Sequence, residues 1–354
     1  MSETTSPHDD TLGARAANVS DLIQQVLDAS GATANRDVLR DILRSAAGLA
    51  SDDVDRLDLK ITAAALKEMR RAFGMFRPLQ GIPKVTVFGS ARTQAHDPLY
   101  DQARRLASHM AAAGWMVITG AGPGIMAAAA EGAGREQSIG VSIRLPFEEA
   151  PSDVIAGDNK LVAMKYFFTR KLMLIKESSA FVCLPGGFGT QDETFELLTL
   201  LQTGKATPTA VVLLDIPGGS YWRDWQAYLE AELVAPGLIS PEDYELYLIT
   251  DDVDVAVAEV QRFWSNYHSI RWVGERLVVR VRRPPSAADV ERLNRAFGDL
   301  LIDGSIEPAP PLPPEVSDRD SLELPRLVMH YDPRKAGRLR ALIDALNDLP
   351  SEGA

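Results

Sequence analysis

Apolar residues recur along the middle of the chain in short runs separated by segments with helical spacing. Six runs have the length and composition of buried strands: residues 84–90 (KVTVFGS), 115–119 (WMVIT), 138–145 (SIGVSIRL), 180–184 (AFVCL), 209–215 (TAVVLLD) and 247–250 (YLIT). Strands that alternate with helices in this way form a parallel sheet covered on both faces. The pattern therefore predicts a Rossmann-like, doubly wound α/β domain over residues 82–265.

The flanking regions have different patterns. Residues 1–17 are polar and without period, which predicts a disordered tail, and residues 18–81 carry three apolar stripes at helical spacing, which predict a helical N-terminal extension. After residue 265, predicted strands at 277–282 and 327–331 alternate with predicted helices at 286–301 and 334–349, and residues 307–314 form a proline-rich loop. Residues 266–354 should form a small α+β unit, for which a structural role is favoured over a regulatory one.

One predicted helix, at residues 160–177, is apolar on nearly every side. Its aromatic residues and leucines leave little polar surface, which is typical of a buried helix. We expect this helix to lie between the sheet and a second subunit, so that the chain forms a homodimer or a higher homo-oligomer. Arg170 lies among these apolar residues, and it is either a structural ion-pair partner or a site residue.

Three of the predicted strands end in glycine-bearing loops. The loops are Gly89-Ser90, residues 120–124 (GAGPG) and residues 185–190 (PGGFGT). The carboxyl ends of parallel strands meet at one edge of a sheet, where ligands bind. A glycine loop that opens a helix presents free N–H groups and the positive end of the helix dipole, which together favour a phosphate group.

The glycine pattern argues against a dinucleotide or a Walker-type nucleotide site. GAGPG is not GxGxxG, an acidic residue for a ribose is missing, and a Gly-Lys-Ser/Thr sequence does not follow the glycines. A mononucleotide with one phosphate fits better.

Thr190 and Glu193 also have the spacing of a capping box, which would need no ligand. From the rise per residue of helix and strand, Arg170 should reach the level of the strand end near Glu193.

Composition and charge restrict the classes of partner that the chain is expected to bind. The chain of 354 residues has a formal net charge of −12, which disfavours nucleic acid and anionic membrane as partners. Its polar N-terminus and the lack of an 18-residue apolar run predict a cytoplasmic protein without a membrane span. The single cysteine, Cys183, is expected in the core. His and Cys residues do not cluster, so a metal is not expected. A cofactor is not expected either.

Several motifs resemble those of the LOG family, which contains cytokinin riboside 5′-monophosphate phosphoribohydrolases and related nucleotide 5′-monophosphate nucleosidases. Residues 185–193 (PGGFGTQDE) resemble its P-G-G-x-G-T-x-x-E motif, and residues 166–173 (YFFTRKLM) resemble its Arg-Lys helix. Residues 119–126 (TGAGPGIM) resemble its T-G-G-G-P-G-I-M loop, except that Ala121 replaces a glycine. The resemblance covers about half of the chain, from residue 84 to residue 263.

The resemblance implies hydrolysis of the N-glycosidic bond of a nucleoside 5′-monophosphate, with Arg170 and Glu193 as the catalytic pair. It implies a substrate- and phosphate-binding set of Gly89, Ser90, Gly120, Gly122, Gly124, Met126, Lys171, Gly186, Gly187, Gly189 and Thr190. One alternative is a non-catalytic nucleotide or molybdenum-cofactor carrier of the same fold. Another is amino-acid decarboxylation, suggested only by an older family name, which would need a pyridoxal-phosphate lysine.

Overall fold

The computed structural model describes residues 7–144 and 152–350, with the side chains of residues 7–17 left aside. The chain divides into two compact units, residues 1–67 and residues 68–354. The division falls inside a helix, α3, and not at residue 81, where the sequence pattern changes. Among the described residues, no helix is both long enough and apolar enough to cross a membrane.

The first unit is helical. It contains α1 (Pro7–Ala29), α2 (Arg36–Ser51) and the first part of α3 (Arg56–Phe76). The α1 helix includes residues 7–17, for which a disordered tail is expected, while residues 1–6 lie outside the described part. Leucine and alanines at residues 12–17 (LGARAA) favour helix, so they extend the periodic segment that follows them. Arg36 closes the turn after α1 by donating to the carbonyl oxygen of Ala32 at 2.7 Å.

The second unit is built on a seven-stranded parallel sheet with the order β4-β3-β2-β1-β5-β6-β7. The strands are β1 (Lys84–Phe88), β2 (Met116–Thr119), β3 (Ser138–Ile143), β4 (Leu161–Met164), β5 (Ala180–Cys183), β6 (Ala210–Leu214) and β7 (Leu248–Thr250). The helices between them are α4 (Pro98–Ala112), α5 (Ile125–Gln137), α6 (Phe167–Lys176), α7 (Phe188–Gln202), α8 (Tyr221–Leu229) and α9 (Val253–Phe263). This architecture confirms the Rossmann-like α/β prediction.

Alternation along the strands distributes the core between the two faces of the sheet. On β1, Val85 and Val87 belong to a cluster with residues of α4, α5 and α9. Phe88 belongs to the opposite cluster, which contains residues of α6 and α7. Because successive side chains of a strand point to opposite faces, one apolar run supplies both layers. The sheet is thereby covered on both sides, and its free carboxyl edge carries the glycine loops.

The predicted helix at residues 160–177 is wrong in its first part. Residues 161–164 form β4, which pairs in parallel with β3 at the sheet edge, and α6 begins only at Phe167. The four strand residues alternate between half-buried and buried, as an edge strand should. A four-residue apolar run does not distinguish strand from helix by periodicity, which explains the error. Residue 145, the predicted end of the third strand, lies outside the described residues.

The C-terminal region forms a four-stranded antiparallel sheet with the order β10-β11-β9-β8. Its elements are β8 (Tyr267–Val273), β9 (Arg276–Val281), α10 (Ala287–Phe297), β10 (Leu301–Pro308), α11 (Pro313–Asp318), β11 (Arg326–Tyr331) and α12 (Ala336–Asn347). Two of the four strands, β8 and β10, were not predicted. The β10 strand is mostly exposed, contains Gly304 and pairs irregularly with β11, so its sequence lacks clean alternation. This sheet shares one hydrophobic cluster with the parallel sheet, within the same compact unit.

Candidate active site

The three glycine loops meet at the carboxyl edge of the parallel sheet. They follow β1, β2 and β5, which are adjacent in the order β2-β1-β5. A cavity of about 750 Å³ lies over this edge. Its lining residues are Val87, Phe88, Gly89, Ser90, Ala91, Arg92, Gly120, Met126, Ile143, Phe167, Arg170, Gly186, Gly187, Phe188, Gly189, Thr190, Gln191, Asp192 and Glu193. The topology thus converts separate loops into one concave surface.

Backbone hydrogen bonds tie the loops to one another. The Ile125 amide donates to the Ser90 carbonyl oxygen at 3.0 Å, and the Ser90 amide donates to the Pro185 carbonyl oxygen at 3.3 Å. Gly124 has a φ of +67°, and a Cβ there would lie 2.3 Å from the Ser90 carbonyl oxygen. A glycine is therefore required where the second loop packs against the first.

The loop at residues 185–190, which follows β5, is hydrogen-bonded to Tyr221 at the start of α8. The Tyr221 hydroxyl donates to the Gly186 carbonyl oxygen at 2.5 Å and accepts from Gln191 Nε2 at 2.6 Å. A Cβ at Gly186 would lie 2.1 Å from Thr190 Oγ1, so the loop closes tightly on the first turn of α7. Because the C=O and N–H of a trans peptide point in opposite directions, fixing this carbonyl also fixes the Gly187 N–H, directed away from Tyr221.

The α7 helix begins at Phe188, with Gly187 at its N-cap. No side chain among the described residues caps this end, so Thr190 and Glu193 do not form the capping box that their spacing allows. The uncapped N–H groups of the first turn remain open to an anion at the positive end of the helix dipole. Gly187, Gly189 and Thr190, which were expected to hold phosphate, all line the cavity here.

Arg170 and Glu193 come together across the cavity wall. Arg170 Nη1 lies 3.9 Å from Glu193 Oε1, and Arg170 Nε donates to the Val141 carbonyl oxygen at 3.0 Å. A Cβ at Gly120 would lie 2.1 Å from Arg170 Nη2, so this glycine makes room for the guanidinium. The sequence predicts the approach of these two residues, while the need for glycine at 120 appears only in the tertiary structure.

Glu193 is a buried carboxylate with an incomplete set of partners. Its side chain is 7% exposed, and its Oε2 has no hydrogen-bond partner among the described residues. Burial raises the pKa of Glu193 to about 7, and the positive charges of Arg170 and Lys171 oppose that rise. A carboxyl group that titrates near neutral pH in a cavity is typical of an acid–base or charge-stabilising site.

Lys171, expected in the substrate-binding set, is not among the residues that line the cavity. Its ammonium lies 2.8 Å from Asp192 Oδ2 and 2.5 Å from Glu196 Oε2. Burial alone would lower the pKa of Lys171, but these two carboxylates raise it above its usual value. Consecutive helical residues project about 100° apart, so Arg170 faces the cavity while Lys171 links α6 to α7.

The loop after β2 contributes unequally. Gly120 and Met126 line the cavity, whereas Gly122 and Gly124 shape the loop without lining it. A Cβ at Gly122 would meet Met126 Cε at 2.8 Å, so this glycine makes space for the methionine. Ala121, which replaces the family glycine, is buried and has a φ of +58°. The alanine therefore adopts the left-handed conformation that glycine adopts without strain.

Several lining residues were not predicted as site residues. Arg92 is exposed and follows Gly89-Ser90 by two positions, so its place after the first glycine loop was a usable signal. Phe188 is 96% exposed, and Phe167 is half exposed. Tyr221 supports the site from another element, and nothing in its local sequence indicates that contact. Phe168 and Leu172 are also exposed on α6, and the predicted subunit contact remains a prediction.

Cys183 and the possible metal ligands bear on other kinds of chemistry. Cys183 is fully buried, and burial raises the pKa of its thiol to about 12, so it does not supply a thiolate nucleophile. Across residues 7–144 and 152–350, no group of His, Cys, Asp and Glu side chains has the arrangement of a metal site.

Comparison with known proteins finds one matching family model and several similar proteins. The family model described as "Possible lysine decarboxylase" matches residues 124–260. A cytokinin riboside 5′-monophosphate phosphoribohydrolase of Rhodococcoides fascians is 30% identical over 32% of this chain, and the match spans 56% of that protein's length. Proteins with the same name from Mycobacterium marinum and Mycobacterium tuberculosis are 28% and 29% identical over 47% of this chain and 88% of theirs.

Solved structures with a similar chain path include two molybdenum-cofactor proteins. The carrier protein of Chlamydomonas reinhardtii is 23% identical, covers 51% of this chain and 96% of its own, and has a TM-score of 0.36. The cofactor-binding protein of Rippkaea orientalis is 19% identical, covers 49% of this chain and 93% of its own, and has a TM-score of 0.35.

Proposed function

The resemblance of the central domain to the LOG family is confirmed by these relatives, and on that premise we propose that the chain is a nucleoside 5′-monophosphate phosphoribohydrolase. It hydrolyses the N-glycosidic bond and releases a free base and ribose 5-phosphate. One observation carries the proposal: the buried Glu193 carboxylate and the Arg170 guanidinium lie 3.9 Å apart in a cavity that also contains the glycine loop. The relatives named as phosphoribohydrolases support a hydrolase.

The phosphate of the substrate would bind at the start of α7. Gly187, Gly189 and Thr190 line the cavity there, and the first-turn N–H groups lack a side-chain cap among the described residues. Binding energy from this remote group orients the sugar at the reacting carbon. A nucleoside without the phosphate lacks that anchor, so we expect it to be a much poorer substrate.

Glu193 would act as a carboxylate beside C1′ of the ribose. Cleavage of the C1′–N bond develops positive charge on the sugar ring, as in other glycoside hydrolysis. A fixed negative charge stabilises that transition state, and the unpartnered Oε2 can accept from a ribose hydroxyl or from the attacking water. Water supplies its hydroxyl group to C1′, and its remaining proton accompanies the departing base.

Arg170 would position the substrate and assist departure of the base. Its Nε is fixed by the Val141 carbonyl oxygen, so the guanidinium has a defined orientation before the substrate arrives. The same positive charge opposes the rise in the pKa of Glu193, which keeps part of the carboxyl ionised near neutral pH. Ile143, Met126 and Phe167 give the cavity an apolar wall suited to the face of a planar base.

A panel of nucleoside monophosphates tests the proposal. Purified protein is incubated with AMP, GMP, CMP, UMP and a cytokinin riboside monophosphate, and free base and ribose 5-phosphate are separated and quantified. We expect turnover of at least one nucleotide, and at least ~100-fold lower kcat/KM for the matching nucleoside, because the phosphate anchor is lost. If no base is released from any of these nucleotides, the proposal is overturned. A tightly bound pterin without turnover would favour the non-catalytic carrier instead.

The apolar face of α6 leads to a separate proposal on assembly. Phe168 and Leu172 are each about half exposed, which is unusual for large apolar side chains on neighbouring turns of one helix. We propose that this face is buried in a homodimer or a higher homo-oligomer. Light scattering after gel filtration measures the mass directly: a 38.5 kDa monomer at all concentrations would contradict it.

A further inference from the structure

Glu68 is a buried carboxylate on α3 that contacts the beginning of the Arg170 helix. Its residue exposure is 7%, and it belongs to the second compact unit together with α6. Glu68 Oε1 accepts from the Lys165 amide at 2.7 Å, and Glu68 Oε2 accepts from the Thr169 hydroxyl at 2.7 Å. Both carboxylate oxygens are therefore occupied by groups at the start of α6, immediately before Arg170.

The first turn of α6 receives its carboxylate from another helix, α3. Its N-cap residue, Tyr166, makes no capping hydrogen bond with its own side chain. A negative charge near a helix N-terminus is favourable because of the helix dipole, and charge-assisted hydrogen bonds are among the stronger ones. The Thr169 hydroxyl is fully buried and also lies 2.9 Å from the Tyr166 carbonyl oxygen. Glu68 thus fixes the first turn of the helix from outside.

A second contact keeps α3 alongside α6. The Lys176 ammonium, at the end of α6, lies over the Phe73 ring at 5.5 Å from the ring centroid. Ala72 and Phe76 of α3 share a hydrophobic cluster with Met173 and Leu174 of α6. The two helices therefore run side by side in the same direction, with Glu68 at the beginning and Phe73 near the end.

We propose that Glu68 is a positioning residue for Arg170. By holding the Lys165 amide and the Thr169 hydroxyl, it sets the height and rotation of α6, and so the place of the guanidinium between the Val141 carbonyl oxygen and Glu193. The inference rests on the proposed nucleotide hydrolysis, in which Arg170 needs a fixed orientation. A displacement of about 1 Å in such a group is enough to cost about 100-fold in rate.

The test compares three variants. E68A removes both acceptors. E68Q keeps the shape: its amide oxygen can accept from Lys165, and its NH₂ can donate to Thr169 Oγ1, whose proton then turns to the Tyr166 carbonyl oxygen. Q102A is the matched control, because Gln102 is equally buried and donates two hydrogen bonds, to the Asp215 and Asp251 carbonyl oxygens, away from α6.

Nucleotide turnover and urea unfolding are measured for all three variants and the unchanged protein. We expect E68A to lower kcat by about 10- to 100-fold with KM changed less than about 3-fold. We expect E68Q to retain kcat within about 3-fold, and Q102A to retain it even where its loss of stability matches that of E68A. A folded E68A protein with unchanged kcat would overturn the proposal, and so would an equal loss of kcat in Q102A.

Hydrogen exchange separates this proposal from the proposed function. In E68A the amides of residues 165–171 should exchange faster than in E68Q or Q102A, whether or not any nucleotide is hydrolysed. If the unchanged protein hydrolyses no nucleotide, the proposed function fails. In that case hydrogen exchange tests Glu68 by itself: if these amides exchange in E68A at the same rate as in the unchanged protein, the positioning role is overturned as well. If the protein is active, the kcat comparison decides.

Discussion

Two regions of the second unit each contain a buried carboxylate beside guanidinium groups. The two carboxylates differ in how many hydrogen-bond partners they have. In the antiparallel sheet, Glu315 Oε1 accepts from Arg280 Nη2 at 2.7 Å and from Arg326 Nη1 at 2.6 Å, while its Oε2 accepts from the Leu312 amide at 2.9 Å. At the edge of the parallel sheet, Glu193 Oε1 lies 3.9 Å from Arg170, and its Oε2 has no partner among the described residues.

The pKa shifts of the two carboxyl groups have opposite signs. Burial tends to raise the pKa of Glu315, but the Leu312 amide and the two arginines lower it below its ordinary value. Burial raises the pKa of Glu193 to about 7, because Arg170 and Lys171 offset only part of the desolvation. A buried carboxylate whose two oxygens both have partners belongs to the structure, and one with an unpartnered oxygen beside a cavity indicates a ligand that completes it.

Replacement of Glu193 should have the largest effect on activity. We expect E193Q to lower kcat by about 100- to 10,000-fold, because the transition state loses a fixed negative charge, while the free energy of unfolding stays equal or rises. Turnover of the best nucleotide and urea unfolding measure the two quantities. The matched control is E196Q, one turn further along α7, which should keep kcat within about 3-fold. An active E193Q protein would remove Glu193 from the mechanism.

Replacement of Glu315 should have the largest effect on stability. E315A leaves the buried Arg326 guanidinium without its carboxylate and leaves Arg280 with Asp320 alone, and we expect the free energy of unfolding to fall by about 3–5 kcal/mol. Urea unfolding measures it, and E323A, at an exposed position, should change it by less than about 0.5 kcal/mol. If E315A does not fold, D320N tests the same cluster at its half-exposed end. If the stability of E315A is unchanged, the Glu315 cluster does not have the structural role that distinguishes it from Glu193.

The pH dependence should also have opposite signs at the two carboxyl groups. Above pH 4.5 the folded state retains the Glu193 proton that the unfolded state loses, so this group reduces stability as pH rises to about 7, by about 3 kcal/mol at most. Glu315 instead contributes stability above its unfolded pKa, and the contribution is lost as pH falls through its lower folded pKa.

Unfolding of the unchanged protein and of E193Q between pH 4.5 and 8 isolates the Glu193 contribution as their difference. If the carboxylate is the active form, kcat/KM should rise with pH through an apparent pKa near 7. A flat difference in stability together with a flat kcat/KM profile would contradict a raised pKa.

The smallest effect is expected at the support of the glycine loop. Y221F removes the hydrogen bond to the Gly186 carbonyl oxygen, which orients the Gly187 amide, and we expect KM for the nucleotide to rise about 5- to 10-fold. The nucleoside should be affected less, because it lacks the phosphate. Y228F, which alters an exposed tyrosine on the same helix, is the control. Equal effects of Y221F on nucleotide and nucleoside would show that the loop acts only structurally.

Local pattern predicted the parts of the molecule that depend on neighbours in sequence. Alternating strands and helices predicted the parallel sheet. The rise per residue of helix and strand predicted that Arg170 lies at the level of Glu193. The failures have local causes as well. The short β4 run is ambiguous in period, and β10 lacks clean alternation because it is an exposed, irregular edge.

The sequence by itself determined the sheet, its glycine loops and the residue types of the site, because periodicity and glycine positions act over a few residues. Only the tertiary structure decided that Lys171 turns away from the cavity, that Tyr221 holds the loop, and that Glu68 supports α6. It also decided the difference between Glu193 and Glu315. Desolvation and the number of hydrogen-bond partners depend on groups far apart along the chain, which a local pattern does not encode.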